Sequence, residues 1–332
     1  MEQTPYVNGN QATFIWHGSS APLLIGDFND WEEQQALKLL KVKRDRWSLT
    51  LEFSPGSYIE YTYIKDGERV FDPNNPRTIS NGINATNQYF YIPPGAPTPL
   101  ARRGRGNPQG VVTGHVVDCM DLCVGKKRRV YLYQPPAPGP YPLVVVLDGP
   151  DYLRGRLTVI FDNLIALGRI QPVALAMVAN GGQARSVEYL CNDATLAFLV
   201  KVILPLAQAE LQLVDIQKSP GAYGIMGASL GGLMALYAGL RLPHIFGKVL
   251  SQSGAFFPES IVNDLVQSCE VKPVKIWMDA GLYESLCEDN QRMHAALASR
   301  GYDVTYNEYP AGHNYSAWRD DVWRGVEHLF GL

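Results

Sequence analysis

The chemistry in this 332-residue chain concentrates in one short run, Gly227-Ala228-Ser229-Leu230-Gly231-Gly232. It fits G-x-S-x-G, a serine set between glycines. An apolar stretch (222–226) precedes it and a helix-forming stretch (233–238) follows. That setting explains the glycines. A serine on a sharp strand-to-helix turn has strained dihedrals, and neighbours carrying a Cβ would collide. The turn lifts the hydroxyl clear of the strand end. It also aims the Leu230 N–H and the start of the helix at a developing oxyanion. Ser229 is therefore expected to act as a nucleophile; the alternative is a tight structural turn.

A serine hydroxyl is a weak nucleophile and needs a base. The histidines are His17, His115, His244, His294, His313 and His328. In the chain order nucleophile, acid, base, His17 and His115 come too early. His244 directly follows the helix after the nucleophile, and His294 and His328 lie in helical patterns. His313 alone follows a strand-like run (304–309) in a glycine-containing loop, Pro310-Ala311-Gly312-His313-Asn314. It is the expected base.

The acid belongs after the preceding strand, 274–278. Asp279 is nearly in that strand, whereas Glu284 stands in the loop beyond it with room to reach an imidazole. The carboxylate would fix the His313 tautomer and stabilise the imidazolium. Glu284 is expected in this role, with Asp279 and Asp289 as alternatives. A second oxyanion donor is expected from Leu147-Asp148-Gly149-Pro150-Asp151-Tyr152. Pro150 has no N–H, so Gly149 or Asp151 would donate.

These groups need a scaffold. From about residue 111 the chain alternates apolar, strand-like runs (129–133, 143–147, 173–178, 224–226, 248–251, 274–278) with helix-like ones (160–167, 196–210, 230–241, 290–299). That pattern predicts an α/β domain over 111–332, a mostly parallel sheet covered on both faces. Residues 1–95 read differently. Short alternating runs at 13–16, 47–53, 58–64, 69–71 and 88–92 are separated by Gly, Pro, Asn and Asp turns. They predict a small immunoglobulin-like β-sandwich. Residues 96–110, rich in Pro, Gly and Arg, read as a linker.

Composition narrows the function classes. The chain is 46% hydrophobic and 18% charged, which argues against disorder. Net charge is −3, so no global field favours nucleic acid or an anionic membrane. The basic island at 101–129 (7 basic, 2 acidic) reads as a solvated linker, with an anion-binding arm as alternative. No apolar run has the length of a membrane helix. The start, Met1-Glu2-Gln3-Thr4-Pro5, lacks the basic and apolar parts of a secretion signal. Five scattered cysteines without C-x2-C spacing suggest thiols in a reducing cytoplasm. Metal, nucleotide and nicotinamide motifs are missing, and no cofactor is expected.

Many short motifs occur in one order: Arg129-Val130-Tyr131, Leu147-Asp148-Gly149, Asp162-Asn163-Leu164-Ile165, Gly168-Arg169-Ile170, Arg185 with Glu188, Gly227 to Gly232, Ser251-Gln252-Ser253-Gly254, and Gly312-His313-Asn314 with Trp318-Arg319. Together they resemble the enterochelin-esterase-like branch of the esterase D group of α/β-hydrolases. The resemblance implies a serine esterase with Ser229 as nucleophile, His313 as base and Glu284 as acid, acting on a small-molecule ester. An acyltransferase on the same triad, or a binding protein with a degenerate hydrolase domain, is the alternative. Related members place an oxyanion donor just after Asp-Gly, where this chain has Pro150. Arg185 is expected either to face an anionic substrate or to form an i, i+3 ion pair with Glu188.

The front domain carries Leu24-Ile25-Gly26-Asp27-Phe28-Asn29-Asp30-Trp31, Trp47, Gly56-Ser57-Tyr58, Lys65-Asp66-Gly67 and Asp72-Pro73-Asn74. These resemble the early-set, glycogen-binding type of carbohydrate-binding module. The resemblance implies a glycan partner, with Trp31 and Trp47 either stacking on sugar rings or packing the core.

Overall fold

The computed structural model describes residues 4–80, 86–257 and 260–332. Two compact units divide the chain: Met1–Pro97 with Gly281–Cys287 and Glu308–Ala317, and Thr98–Ala280 with Glu288–Asn307 and Trp318–Leu332. Two loop segments from the C-terminal third thus belong to the first unit.

The first unit holds two antiparallel sheets. One orders Tyr6–Asn8, Gln11–His17, Arg46–Glu52 and Leu40–Lys43; the other orders Leu37–Lys38, Leu23–Gly26, Tyr58–Lys65, Thr86–Tyr91 and Thr78–Ser80, with Glu68–Val70 paired to Tyr58–Lys65. Strand geometry sends alternate side chains to opposite faces. On Tyr58–Lys65, Ile59, Tyr61 and Tyr63 enter the core with Phe14, Leu24 and Phe90. The other face carries Tyr58, Glu60 and Thr62, and these are buried too. Backbone from the returning segments accounts for this. The Tyr58 N–H donates to the Pro310 carbonyl at 3.0 Å, and Tyr58 bridges Ala311. The Ser54 N–H donates to the Tyr283 hydroxyl at 2.8 Å.

The second unit is built on an eight-stranded sheet. Its strands are β1 (Val111–Asp118), β2 (Lys127–Gln134), β3 (Leu143–Val146), β4 (Ala174–Val178), β5 (Tyr223–Ala228), β6 (Phe246–Gln252), β7 (Lys275–Gly281) and β8 (Asp303–Tyr309), in the order β1-β2-β4-β3-β5-β6-β7-β8. β1 and β2 are antiparallel additions, and β4-β3-β5-β6-β7 run parallel. The central strands are apolar on both sides because both faces are covered. Val145, Ile225 and Val249 pack with Leu233 and Leu236 of the helix Leu230–Arg241. Val144, Met226 and Leu250 face Phe161, Leu329 and Phe330. Five helices matter below: α1 (Gly149–Arg154), α2 (Leu157–Ala166), α3 (Leu230–Arg241), α4 (Cys287–Arg300) and α5 (Tyr315–Phe330).

The segment between the two patterns is tied down. Asn163 on α2 donates to the carbonyls of Leu100 and Arg102, both at 2.7 Å. Its neighbour Asp162 accepts the Gly110 N–H at 2.8 Å. Asp162 and Asn163 are thus anchors for residues 98–110, a use the composition of that stretch does not disclose.

Candidate active site

In the second unit, β5 ends at Ala228 and α3 begins at Leu230, leaving Ser229 alone on the turn. Its φ is 59° and ψ −124°, a conformation costly for any residue with a Cβ. The backbone around it holds the turn. The Ser229 N–H donates to the Gln252 carbonyl at 2.9 Å, and the Ser229 carbonyl accepts from Leu233 at 3.0 Å and Ala255 at 3.1 Å. Gly227 is demanded by contact: a Cβ there would sit 2.6 Å from the Gly231 carbonyl carbon. Ser229 is half-buried. Leu230 opens a three-turn helix, so its N–H is one of the amides with no intrahelical acceptor.

β3 ends beside a second backbone feature. Asp148 has φ 54°, and α1 starts at Gly149. The Asp151 N–H donates to the Asp148 carbonyl at 2.9 Å. Asp151 is therefore corrected as a backbone oxyanion donor, because the first turn of α1 already uses its N–H; Gly149 remains of the two. Arg185 grips Asp148, with Nη2 2.7 Å from Oδ2 and Nε 2.9 Å from Oδ1, and also donates to the Ala228 carbonyl at 3.1 Å. The expected Arg185–Glu188 pair does not form. Glu188 is instead held by buried Arg128, at 2.6 and 3.0 Å. Arg185 thus ties the loop after β3 to the residue before Ser229.

The first unit holds Glu284 and His313. Glu284 follows β7 and His313 follows β8, each just ahead of a helix. His313 Nδ1 lies 2.5 Å from Glu284 Oε2. The other carboxylate oxygen accepts the Gly281 N–H at 2.9 Å. The Glu284 side chain is 1% exposed and the imidazole 32%, so a buried carboxyl group fixes a ring that reaches solvent. The alternative acids are engaged elsewhere. Asp279 Oδ2 accepts from Trp277 Nε1 at 2.8 Å, and Asp289 pairs with Arg292. Other histidines have structural surroundings: His115 bonds Thr113, His294 stacks on Tyr306, and His328 packs against Trp277.

Two buried carboxyls stand behind the His313 loop, and spacing alone does not reveal them. Asp27 Oδ2 accepts the Glu60 N–H at 2.7 Å, and Oδ1 accepts Trp31 Nε1 at 3.0 Å. A Cβ on Gly312 would fall 2.3 Å from the Asp27 carboxyl carbon, so the loop runs directly over this group. Glu60 accepts from the Tyr58 hydroxyl at 2.9 Å and Asn87 Nδ2 at 2.8 Å. Burial pushes the Glu60 carboxyl up to about 7. Burial first, then the nearby Glu60 charge, holds Asp27 well above the usual carboxylate range. The sequence signal was a glutamate in the middle of an apolar strand, on the face away from the sandwich core.

A cleft of about 420 Å³ opens here, lined by Asp27, Asp30, Trp31, Glu60, Arg69 and Asn87 together with His313, Asn314, Ser285 and Leu286. Trp31 belongs to it. Trp47 does not: it lies in the other sheet, donates to the Gly18 carbonyl at 3.0 Å and packs on the sandwich core.

Comparison with known proteins places these features. The pattern of the family described as Putative esterase matches residues 123–329, and that of the glycogen recognition site of AMP-activated protein kinase matches 10–95. The iron(III) enterobactin esterase of Dickeya dadantii is 30% identical over 264 residues, covering 71% of this chain. This chain spans 60% of that relative's length. The enterobactin esterase of Shigella flexneri, solved in the presence of enterobactin, superposes with a TM-score of 0.79 at 20% identity, over 96% of this chain and 92% of that one. A ferulic acid esterase of Anaeromyces mucronatus gives 0.59 at 16% identity, over 71% and 96%. At these identities the solved structures share the fold: an α/β-hydrolase domain preceded, in this chain, by a β-rich module.

Proposed function

The chain belongs to the Putative esterase family, and from that premise we propose that it is a serine carboxylic-ester hydrolase using Ser229, His313 and Glu284. The Ser229 oxygen bonds to the ester carbonyl carbon while its proton passes to His313 Nε2. The tetrahedral oxyanion is held by the Leu230 N–H and the Gly149 N–H. The carbon–oxygen bond to the alcohol then breaks, and the alcohol leaves with the proton from Nε2. Water adds to the acyl-enzyme, giving a proton to Nε2. That proton returns to Ser229 as the acid departs.

The observation that carries this proposal is the 2.5 Å contact between His313 Nδ1 and Glu284 Oε2. It directs Nδ1 to the carboxylate and leaves Nε2 to exchange protons with the reacting oxygens. The strand order supports it, since Ser229, Glu284 and His313 follow β5, β7 and β8 of one sheet.

The natural substrate is proposed to be a small-molecule ester. The Dickeya relative is named for iron(III) enterobactin. A second role, a glycan partner for the front module, rests on the match to a glycogen recognition site. Turnover of p-nitrophenyl acetate tests the hydrolase. Ser229→Ala should lower kcat at least about 10³-fold. Equal rates for wild type and Ser229→Ala would end the proposal.

A further inference from the structure

Two strained turns of the second unit stand next to the amides of the proposed oxyanion hole. Asp148, with φ 54°, precedes Gly149, and Ser229, with φ 59°, precedes Leu230. Neither residue is glycine, and such strain persists only where the surroundings hold it. One side chain holds both turns. Arg185 Nε lies 2.9 Å from Asp148 Oδ1 and 3.1 Å from Oδ2, and Nη2 lies 2.7 Å from Oδ2. The same Nη2 donates to the Ala228 carbonyl at 3.1 Å, one peptide before Ser229. A planar guanidinium serves these acceptors together, which a point-like ammonium does not. Tyr189 braces the arrangement. Its ring centroid is 5.3 Å from the guanidinium carbon, and its hydroxyl accepts the Asp148 N–H at 3.2 Å.

Asp148 also poses an electrostatic problem. Its side chain is fully buried. A Cβ on Gly231 would fall 3.3 Å from its Oδ2, so the carboxylate lies against the first turn of α3. That positive helix end is the one offered to the oxyanion. A lone buried anion there would oppose a second negative charge at the same place. The Asn180 Nδ2 donor, 2.6 Å from Asp148 Oδ1, is neutral and leaves that charge uncancelled. The Arg185 guanidinium cancels it.

We propose that Arg185 is a positioning residue of the esterase reaction: it neutralises Asp148 at the start of α3 and fixes the two turns that carry the oxyanion-binding amides. The proposal rests on the hydrolase assignment above. The partner of this guanidinium is the protein's own carboxylate, and no anionic substrate is needed to explain it.

Steady-state hydrolysis of p-nitrophenyl acetate and inhibition by phenylboronic acid test the role together. Arg185→Ala should lower kcat about 10²-fold with KM changed less than about threefold. The boronate adduct of Ser229 places an oxygen in the oxyanion hole, so its Ki should rise about tenfold or more. KM and Ki report on folded molecules alone, so a partly unfolded preparation does not imitate this result. Adding Asp148→Asn to Arg185→Ala should raise kcat about tenfold over Arg185→Ala, because the uncompensated charge is gone. A merely structural pair predicts no such recovery. Arg185→Lys keeps the buried charge compensated, which protects the fold if Arg185→Ala does not fold. It should still lose about tenfold in kcat, since one ammonium does not hold both turns. Wild-type kcat in Arg185→Lys, an unmoved boronate Ki, or a double variant without recovery would overturn the positioning role while Ser229-dependent turnover upholds the esterase. If wild-type turnover does not depend on Ser229, the esterase assignment itself has failed, and the role of Arg185 falls with it.

Discussion

Asp27 holds the loop of His313 on both sides of the histidine: its carboxyl carbon occupies the space of an absent Cβ at Gly312, and its Oδ2 accepts from Asn314 Nδ2 at 3.4 Å. Asn314 in turn caps α5, its Oδ1 accepting the Ala317 N–H at 2.9 Å. A carboxyl group from the front module therefore sets the backbone on which the proposed base is mounted. Asp27 touches no reacting atom in this scheme and is a positioning residue. Small displacements of a catalytic group are expensive in rate, about 10²-fold for an ångström. Asp27→Ala should lower kcat for p-nitrophenyl acetate about 10- to 100-fold with little change in KM. Asp27→Asn, which keeps one acceptor, should recover part of the loss. Wild-type kcat in Asp27→Ala would contradict this.

The acid can be identified by substituting the two carboxylates separately. Glu284→Gln leaves the volume but disturbs the His313 tautomer, and should cost about 10³- to 10⁴-fold in kcat. Asp279 is fully buried and accepts from Trp277 and Gln252 within its own unit. Asp279→Asn should therefore act on stability, by about 1–3 kcal/mol. A larger loss of kcat in Asp279→Asn than in Glu284→Gln, measured on folded protein, would reverse the assignment.

Glu60 makes stability depend on pH in a predictable direction. Its folded pKa is about 7 against 4.5 unperturbed, raised by burial. Between those values the folded chain binds more protons than the unfolded one, so stability falls as pH rises. Melting temperature should decline from pH 5 to pH 8, and Glu60→Gln should flatten that slope. Asp27 titrates in the same direction and leaves a residual slope. An unchanged slope in Glu60→Gln would count against the buried pair.

The backbone at Ser229 stores strain that glycine does not feel. Ser229→Gly should therefore raise stability by about 1 kcal/mol, roughly 2–4 °C in Tm, as it removes activity. Ser229→Ala keeps the Cβ and should show no such gain. Equal Tm values for the two variants would mean the turn is relaxed.

Parts of this arrangement are legible in the sequence because they follow from local sterics. The glycines around Ser229 announce a sharp turn, and the apolar runs 143–147 and 224–226 announce strands buried on both faces. Spacing places Glu284 and His313 in loops after successive strands, but choosing Glu284 over Asp279 or Asp289 needs side-chain directions that only the folded loops fix. Asp27 and Glu60 were out of reach for another reason. They lie more than 220 residues from the loops they support, and their burial depends on segments 281–287 and 308–317 joining the front unit. Arg185 was half-legible: its charge pointed to a partner, but the partner is Asp148, 37 positions away, and not Glu188 on the next turn.

The central claim is that Ser229 is a nucleophile activated by His313. Intact-mass and peptide mass spectrometry after brief exposure to a fluorophosphonate tests it directly. One adduct on the peptide containing Ser229 is predicted for wild type, with labelling at least about 10²-fold slower in His313→Ala and abolished in Ser229→Ala. An unlabelled Ser229 in wild type, or a rate indifferent to His313, would contradict the account.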